Sequence, residues 1–151
     1  RNKARAIMEA SRDIEERFGG QVPRTLDELV TLRGVARKTA NVVLGTAYGI
    51  ASGITVDTHV TRVSRKLELA TEEDPVAIEA ELCELFPRAQ WIDLGHRMVL
   101  HGRYVCQAKK PDCANCPLNE LCPVAEAEPK GAWTARADRE RRLVESKGAR
   151  T

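Results

Sequence analysis

The 151-residue sequence predicts an all-α protein, and three observations carry that expectation. Apolar residues recur at three- and four-residue steps through most of the chain, the period of a helix face. Helix-capping residues stand just before those runs. No stretch alternates apolar and polar residues as a half-buried strand would.

Taken in order, Ala4, Ile7, Met8, Ser11, Ile14 and Phe18 keep one face of a first helix, which Gly19-Gly20 ends and Pro23 keeps from restarting early. Thr25 and Glu28 stand three apart just before Leu29 and Leu32, the spacing of a reciprocal capping box, so a short second helix is expected over 25–32. Arg33-Gly34-Val35-Ala36 breaks that pattern. A third helix then runs to Tyr48, with Ala40, Val43, Leu44 and Ala47 on one face and Gly49 as terminator. Residues 50–56 read as a loop interrupted by Ser52-Gly53. Asp57 looks like an N-cap for the helix bearing Val60, Val63 and Leu67. Asp74-Pro75 supplies an N-cap and a first-turn proline for the helix bearing Ile78, Leu82 and Leu85, which Pro87 closes. Trp91, Leu94 and Met98 mark a further helix that is expected to give way near Gly102, and Pro111, Pro117 and Pro123 punctuate the cysteine-bearing loop beyond it.

From Val124 to Thr151, twelve of 28 residues are charged and few are large and apolar, which predicts a solvated helix or a disordered tail rather than an independently folded unit. Arg136, Arg139, Arg141 and Arg142 offer the other reading, a basic arm lying on nucleic acid.

Composition excludes several classes. Hydrophobic residues at 42% and charged residues at 30% describe an ordinary globular chain, and no apolar run approaches a membrane span. Aromatic residues at 4% are too few for a broad base-stacking platform. With 24 Lys and Arg against 22 Asp and Glu, the net charge of +2 does not by itself argue for a nucleic-acid partner, so that case rests on particular sites. The chain opens at Arg1 directly into a helical pattern, without Met or a leader, and is read as the later part of a longer intracellular protein.

Four of the five cysteines, Cys106, Cys113, Cys116 and Cys122, form a C-x6-C-x2-C-x5-C run, while Cys83 stands apart as a small buried apolar residue. Four thiolates can ligate one iron–sulfur cluster. A four-cysteine zinc site and two disulfides are the alternatives. The single CxxC pair favours the cluster over a zinc ribbon, and the odd fifth cysteine weakens the disulfides. Either metal would serve structure, because protein fills every coordination position. Lys109 and Lys110 lie on the arc between the first two cysteines, where they are either solvated charge or phosphate contacts.

Leu32 to Ala40 joins two helices through a turn whose amides face outward at the start of the second helix, a ready anion site or an ordinary packing turn. Phosphate held by main-chain amides carries no base information, so such a hairpin would grip DNA without reading sequence. Lys38 falls in the first turn of that helix, where a cation adds to the positive helix end and a surface phosphate contact is the plain reading. A neutral lysine amine can also attack a sugar carbon and form a Schiff base. Asp57 needs no reason beyond capping, yet a carboxylate facing such an amine could stabilise positive charge on a sugar or relay protons. His59, His96 and His101 read as packing or hydrogen-bonded residues rather than ligands.

Three separated segments in this order resemble the endonuclease III family of helix-hairpin-helix DNA glycosylases. They are Leu32 to Leu44, then Val56-Asp57-Thr58-His59, then Leu100-His101-Gly102-Arg103-Tyr104 leading into the cysteine quartet. The resemblance runs from about Asn2 to Cys122. It implies an all-α, helix-hairpin-helix glycosylase fold: a partial helical barrel over 1–50 with the hairpin, a helical domain over 51–122 ending in a [4Fe-4S] loop, a DNA cleft between them, and a charged tail over 123–151. It implies Lys38 and Asp57 as catalytic residues, and Cys106, Cys113, Cys116 and Cys122 as cluster ligands. The backbone of Gly34, Val35, Ala36, Arg37 and Thr39, with Lys109 and Lys110, would contact DNA.

The implied activity is removal of oxidised pyrimidines followed by AP lyase cleavage through a lysine Schiff base. The alternative is a non-catalytic helix-hairpin-helix and iron–sulfur DNA-binding module, or else a zinc-stabilised interaction domain. The implied partner is double-stranded DNA carrying damaged pyrimidines or abasic sites, met by a monomer inside the cell, in the cytoplasm or nucleoid if the source is bacterial, with no membrane involved. The family hairpin usually reads Leu-Pro-Gly-Val-Gly, whereas Arg33 and Ala36 stand here for the proline and second glycine. One extra residue separates Lys38 from Asp57. Family members also carry further helices before the point matching Asn2.

Overall fold

The computed structural model describes residues 2–148, and all regular structure among them is helical. The elements are α1 (Asn2–Phe18), α2 (Leu26–Leu29), α3 (Arg37–Tyr48), α4 (Thr58–Lys66), α5 (Pro75–Leu85), α6 (Trp91–Tyr104) and α7 (Trp133–Gly148), with short 3-10 turns at Arg88–Gln90, Cys113–Asn115 and Asn119–Leu121. Local chemistry places most boundaries. Asp74 accepts from the amides of Val76 and Ala77 ahead of Pro75 at the first turn of α5. Gly49 ends α3 in the left-handed conformation, at φ 65°. At Thr25 the expected box closes only half-way. Its hydroxyl accepts from the Glu28 amide, but the Glu28 carboxylate accepts the same hydroxyl at 2.6 Å instead of reaching back to the Thr25 amide, and α2 is correspondingly a single turn.

Two apolar cores form. Leu29, Leu32, Ala40 and Leu44 make one, with Ala10, Ile14, Phe18, Tyr48 and Ile50 packed around it. Ile54, Val56, Val60, Val63, Ala70, Ile78, Leu82 and Met98 make the other, with Cys83 half-buried at its edge. The chain passes from one to the other between Ile50 and Ile54, and the first turn of α3 comes to lie beside the start of α4.

The second core is centred on α4 against α6. Gly102 is what allows their approach, since a Cβ there would lie 2.9 Å from His59 Cβ and 3.2 Å from the His59 carbonyl oxygen. The helix gives way near this glycine, as the sequence led us to expect, ending two residues later at Tyr104. What the glycine itself supplies is the close packing of α6 on α4.

The segment after the cysteines forms the largely exposed helix that composition allowed, but it is tied to the rest of the protein. It forms α7 and packs on α6, anchored by Arg136, which is 2% exposed. Composition argued against burial because the segment is short of apolar residues. What it buries is a guanidinium each of whose three nitrogens donates a hydrogen bond within the protein, so Arg136 is not available to a basic arm. No helix among the described residues is long and apolar enough to cross a membrane.

Candidate active site and cysteine centre

The turn before α3 is built around Gly34, whose φ of +81° is open to glycine and strained for other residues. A Cβ there would also sit 2.9 Å from Ala6 Cβ on α1. Ala36 is extended, at φ −83° and ψ 166°, so the alanine standing where a second glycine is usual meets no positive-φ requirement. It carries no side-chain acceptor for the first amides of α3, which open onto an exposed surface bearing Arg37, Lys38 and Thr39. Val35 tucks against the first core. Arg33 turns back to Glu9 on α1, at 2.8 Å.

Asp57 divides its carboxylate between two tasks. Oδ1 accepts from the amides of His59 at 2.8 Å and Val60 at 2.9 Å, capping α4. Oδ2 faces Lys38 Nζ at 3.9 Å. The aspartate side chain is 15% exposed and the lysine 53%, so a fixed carboxylate stands behind an amine that solvent and a large ligand can reach. The two groups foreseen separately from sequence thus meet, although they stand on helices belonging to different cores.

A polar strut beside them was not foreseen. Arg37, next to Lys38, donates to Glu79 of α5 from Nε at 2.8 Å and Nη2 at 3.1 Å, and this hydrogen bonding holds the guanidinium above its ordinary pKa. Asn41 Nδ2 donates to the same carboxylate at 3.0 Å, and the Ser52 hydroxyl donates to Asn41 Oδ1 at 2.8 Å. Gly53 makes room for Glu79, whose Oε1 would lie 1.9 Å from a Cβ at that position. The strut ties the first turn of α3 to the second core. Arg37, expected on DNA, therefore spends its side chain on Glu79 and offers a ligand its amide. One sign of this was readable: Glu79 stands three residues before Leu82, on the buried stripe of α5, where a carboxylate needs a partner.

Arg62 performs a similar task near the cysteines, donating to the Cys106 carbonyl oxygen from Nε at 3.1 Å and Nη2 at 2.9 Å, and to that of Gly102 at 2.6 Å. It also lies 3.3 Å from His59 Nδ1. Burial pushes the Cys106 thiol up against the pull of Lys66 and Arg62. Lys109 and Lys110 stand exposed on the arc after Cys106 and make no ion pair among the described residues.

Cys106, Cys113, Cys116 and Cys122 all line one small cavity, closed by Val63, Leu67, Val105 and Leu118. Four thiols lining one space are the donor set that an iron–sulfur cluster takes, although among the described residues no three His, Cys, Asp or Glu side chains are already arranged to hold a single metal ion. His101 borders this cavity with Nε2 3.7 Å from Cys116 Sγ and Nδ1 2.7 Å from Glu140 Oε1. Burial opposes a charge on this imidazole, but hydrogen bonds to Cys116 and Glu140 and their negative charges outweigh it, pushing the pKa up to about 9.

Comparison with known proteins agrees with this geometry. Residues 17–46 match the helix-hairpin-helix motif, and residues 106–125, which contain all four clustered cysteines, match the iron–sulfur binding domain of endonuclease III. Endonuclease III of Synechocystis sp. is 52% identical over 127 residues, covering 84% of this chain and 58% of that protein. Endonuclease III of Bacillus subtilis is 49% identical over 123 residues, covering 81% and 56%.

The chain belongs to the endonuclease III family.

Its fold is accordingly the helix-hairpin-helix glycosylase fold. It superposes on a trapped endonuclease III–DNA covalent intermediate with a TM-score of 0.78 at 42% identity, covering 83% of this chain and 59% of that one. A non-covalent endonuclease III–DNA complex gives 0.77 at 40% identity, covering 93% and 61%. The chain thus spans a little under three-fifths of the length of the curated relatives named above. Its cofactor, like the family's, is a [4Fe-4S] cluster.

Proposed function

We propose that this chain is the catalytic and cluster-bearing part of a base excision repair enzyme, a DNA glycosylase that removes oxidised pyrimidines and cleaves the resulting abasic strand. The observation that carries this reading is the 3.9 Å approach of Lys38 Nζ to Asp57 Oδ2 at an exposed surface beside the hairpin. One structural neighbour, a covalent endonuclease III–DNA intermediate, supports chemistry of this kind.

In the proposed reaction the neutral amine of Lys38 attacks C1′ of a nucleotide flipped out of the duplex. The N-glycosidic bond breaks and its electron pair leaves with the base, which takes up a proton. The attached nitrogen gives up one of its two protons, and cleavage of the C1′–O4′ bond, with a proton taken up by O4′, opens the sugar ring to a Schiff base that stays protonated by the other. Removal of a C2′ proton then expels the 3′ phosphate by β-elimination, and water hydrolyses the Schiff base to free Lys38. Asp57 stabilises the positive charge that develops on the sugar and moves protons between Lys38 and the ring. Its Oδ1 is committed to α4, so Oδ2 does this work from a fixed position.

The hairpin amides from Gly34 to Thr39 hold phosphate, with Lys109 and Lys110 as further contacts. Residues 1–50 are the barrel portion bearing the nucleophile and residues 51–122 the domain bearing the carboxylate, so DNA lies along their junction. Cys106, Cys113, Cys116 and Cys122 hold the [4Fe-4S] cluster, which when bound cross-links the loop carrying Lys109 and Lys110. The enzyme acts as a monomer inside the cell, in the cytoplasm or nucleoid if its source is bacterial.

A duplex with a single abasic site, incubated with the protein, tests the reading. It predicts a shortened strand ending in the unsaturated sugar left by β-elimination, absent with Lys38→Ala. Tight, salt-sensitive binding without cleavage would favour the non-catalytic module instead.

A further inference from the structure

The iron–sulfur match ends at residue 125, yet the chain continues and returns to the 113–122 part of the cysteine loop. Asn119 Nδ2 donates to the Ala127 carbonyl oxygen at 2.8 Å as well as to that of Cys113 at 2.7 Å. The Lys130 amide donates to the Ala114 carbonyl oxygen at 2.6 Å. From α7, Arg136 Nε donates to the Cys116 carbonyl oxygen at 3.1 Å, Nη2 to Glu120 at 2.8 Å, and Nη1 to the Gly131 carbonyl oxygen. One turn further on, Glu140 holds His101 Nδ1, and the other ring nitrogen of His101 faces Cys116 Sγ.

Cys116 is thereby held at both ends, main chain by Arg136 and sulfur by the Glu140–His101 pair. It is the most buried of the four cysteines, at 9% exposed. A guanidinium that is 2% exposed is costly to bury unless its partners are fixed. Here every partner lies on the loop or on the segment that returns to it. Residues outside a metal's direct ligands commonly set how tightly those ligands hold.

We infer that residues 126–148 form a latch over the cysteine loop, in which Arg136 and Glu140 are positioning residues that fix Cys116 and so retain the cluster. The inference rests on the reading that these four cysteines hold it.

The test uses the full chain, loaded with iron and sulfide under anaerobic conditions, and follows loss of visible absorbance after addition of a ferrous-iron chelator. Arg136→Ala is expected to lose iron roughly tenfold to a hundredfold faster than wild type. Glu140→Ala is expected to lose it several-fold faster, and Glu140→Gln, whose amide oxygen still accepts from His101, to return close to wild type. Glu140→Ala should also shift the reduction potential of the loaded protein, which Glu140→Gln should largely restore, since a merely helix-stabilising role would not move it. Arg141→Ala, whose exposed side chain pairs with Asp138, should behave as wild type.

Wild-type iron loss in Arg136→Ala and Glu140→Ala overturns the latch. Equal loss from Glu140→Gln and Glu140→Ala overturns positioning through His101. A wild-type chain that takes up no iron overturns the cofactor reading itself, and the latch falls with it.

Discussion

Removing Arg37 should destabilise the protein more than removing the charge it binds. The Glu79 side chain is 6% exposed and takes three donors, two from Arg37 and one from Asn41. Arg37→Ala leaves a buried carboxylate with Asn41 alone. Stripping one partner from a buried ion pair costs about 3–5 kcal/mol. Because Arg37 is 42% exposed, water can follow into the space it vacates, so the lower end, about 3 kcal/mol, is expected. For a chain of this size that corresponds to a fall in Tm of roughly 6–12 °C. Glu79→Gln keeps the shape and an acceptor for Asn41, while Arg37 can turn to solvent, so its cost should be near 1 kcal/mol, that of a lost hydrogen bond. The double variant buries no charge and should be more stable than Arg37→Ala by about 1–2 kcal/mol. Urea unfolding of the four proteins measures the cycle. If Arg37→Ala costs no more than Glu79→Gln, or if the two costs simply add, Glu79 is not a charge that depends on Arg37 and the strut has been misread.

The same strut makes Gly53 intolerant of any side chain. Gly53→Ala should displace Glu79 and lower Tm by several degrees by differential scanning calorimetry, and wild-type stability would show that the carboxylate can move aside freely. At Asp57, capping and chemistry can be separated: Asp57→Asn keeps an oxygen for the His59 and Val60 amides and should stay within about 0.5 kcal/mol of wild type, whereas Asp57→Ala should lose about 1 kcal/mol in urea titration. Both should lose strand cleavage, and full cleavage by Asp57→Asn would remove the carboxylate from the mechanism. Gly102→Ala must push α4 from α6 and should cost about 1–3 kcal/mol, read from chemical unfolding. Stripping the cluster with chelator should expose the 106–122 loop to protease while the helices of the second core, which close on apolar residues, resist. Uniform digestion would mean that the cluster holds the whole domain together.

The parts of this fold that were legible in the sequence are those whose cause is local. The caps at Asp57 and Asp74, the proline beginning α5 and the glycine ending α3 each act within a few residues, and each is where the sequence led us to expect it. The half-closed box at Thr25 shows the limit even there, because the same pair of side chains offers two hydrogen-bonding arrangements of similar length. Gly102 stands near the end of its helix as the sequence suggests, but nothing in its neighbourhood says that a Cβ there would meet His59 of another helix at 2.9 Å.

Long-range polar partners were the least legible. Arg37 and Glu79 are 42 positions apart, and Arg136 reaches back 20 positions to Cys116. A charged residue on a buried stripe announces that it needs a partner without naming it. The meeting of Lys38 with Asp57 is of the same kind: each stands out on its own helix, and only the resemblance to a known family says that they belong together.

In the proposed reaction Lys38, steadied by Asp57, becomes covalently joined to a DNA sugar. Sodium borohydride added during incubation with abasic-site duplex, followed by protease digestion and mass spectrometry of the trapped species, asks this directly. One reduced adduct is expected, on the peptide containing Lys38, lost in Lys38→Ala and retained in Lys110→Ala. An adduct on any other residue, or trapping undiminished in Lys38→Ala, would contradict this reaction.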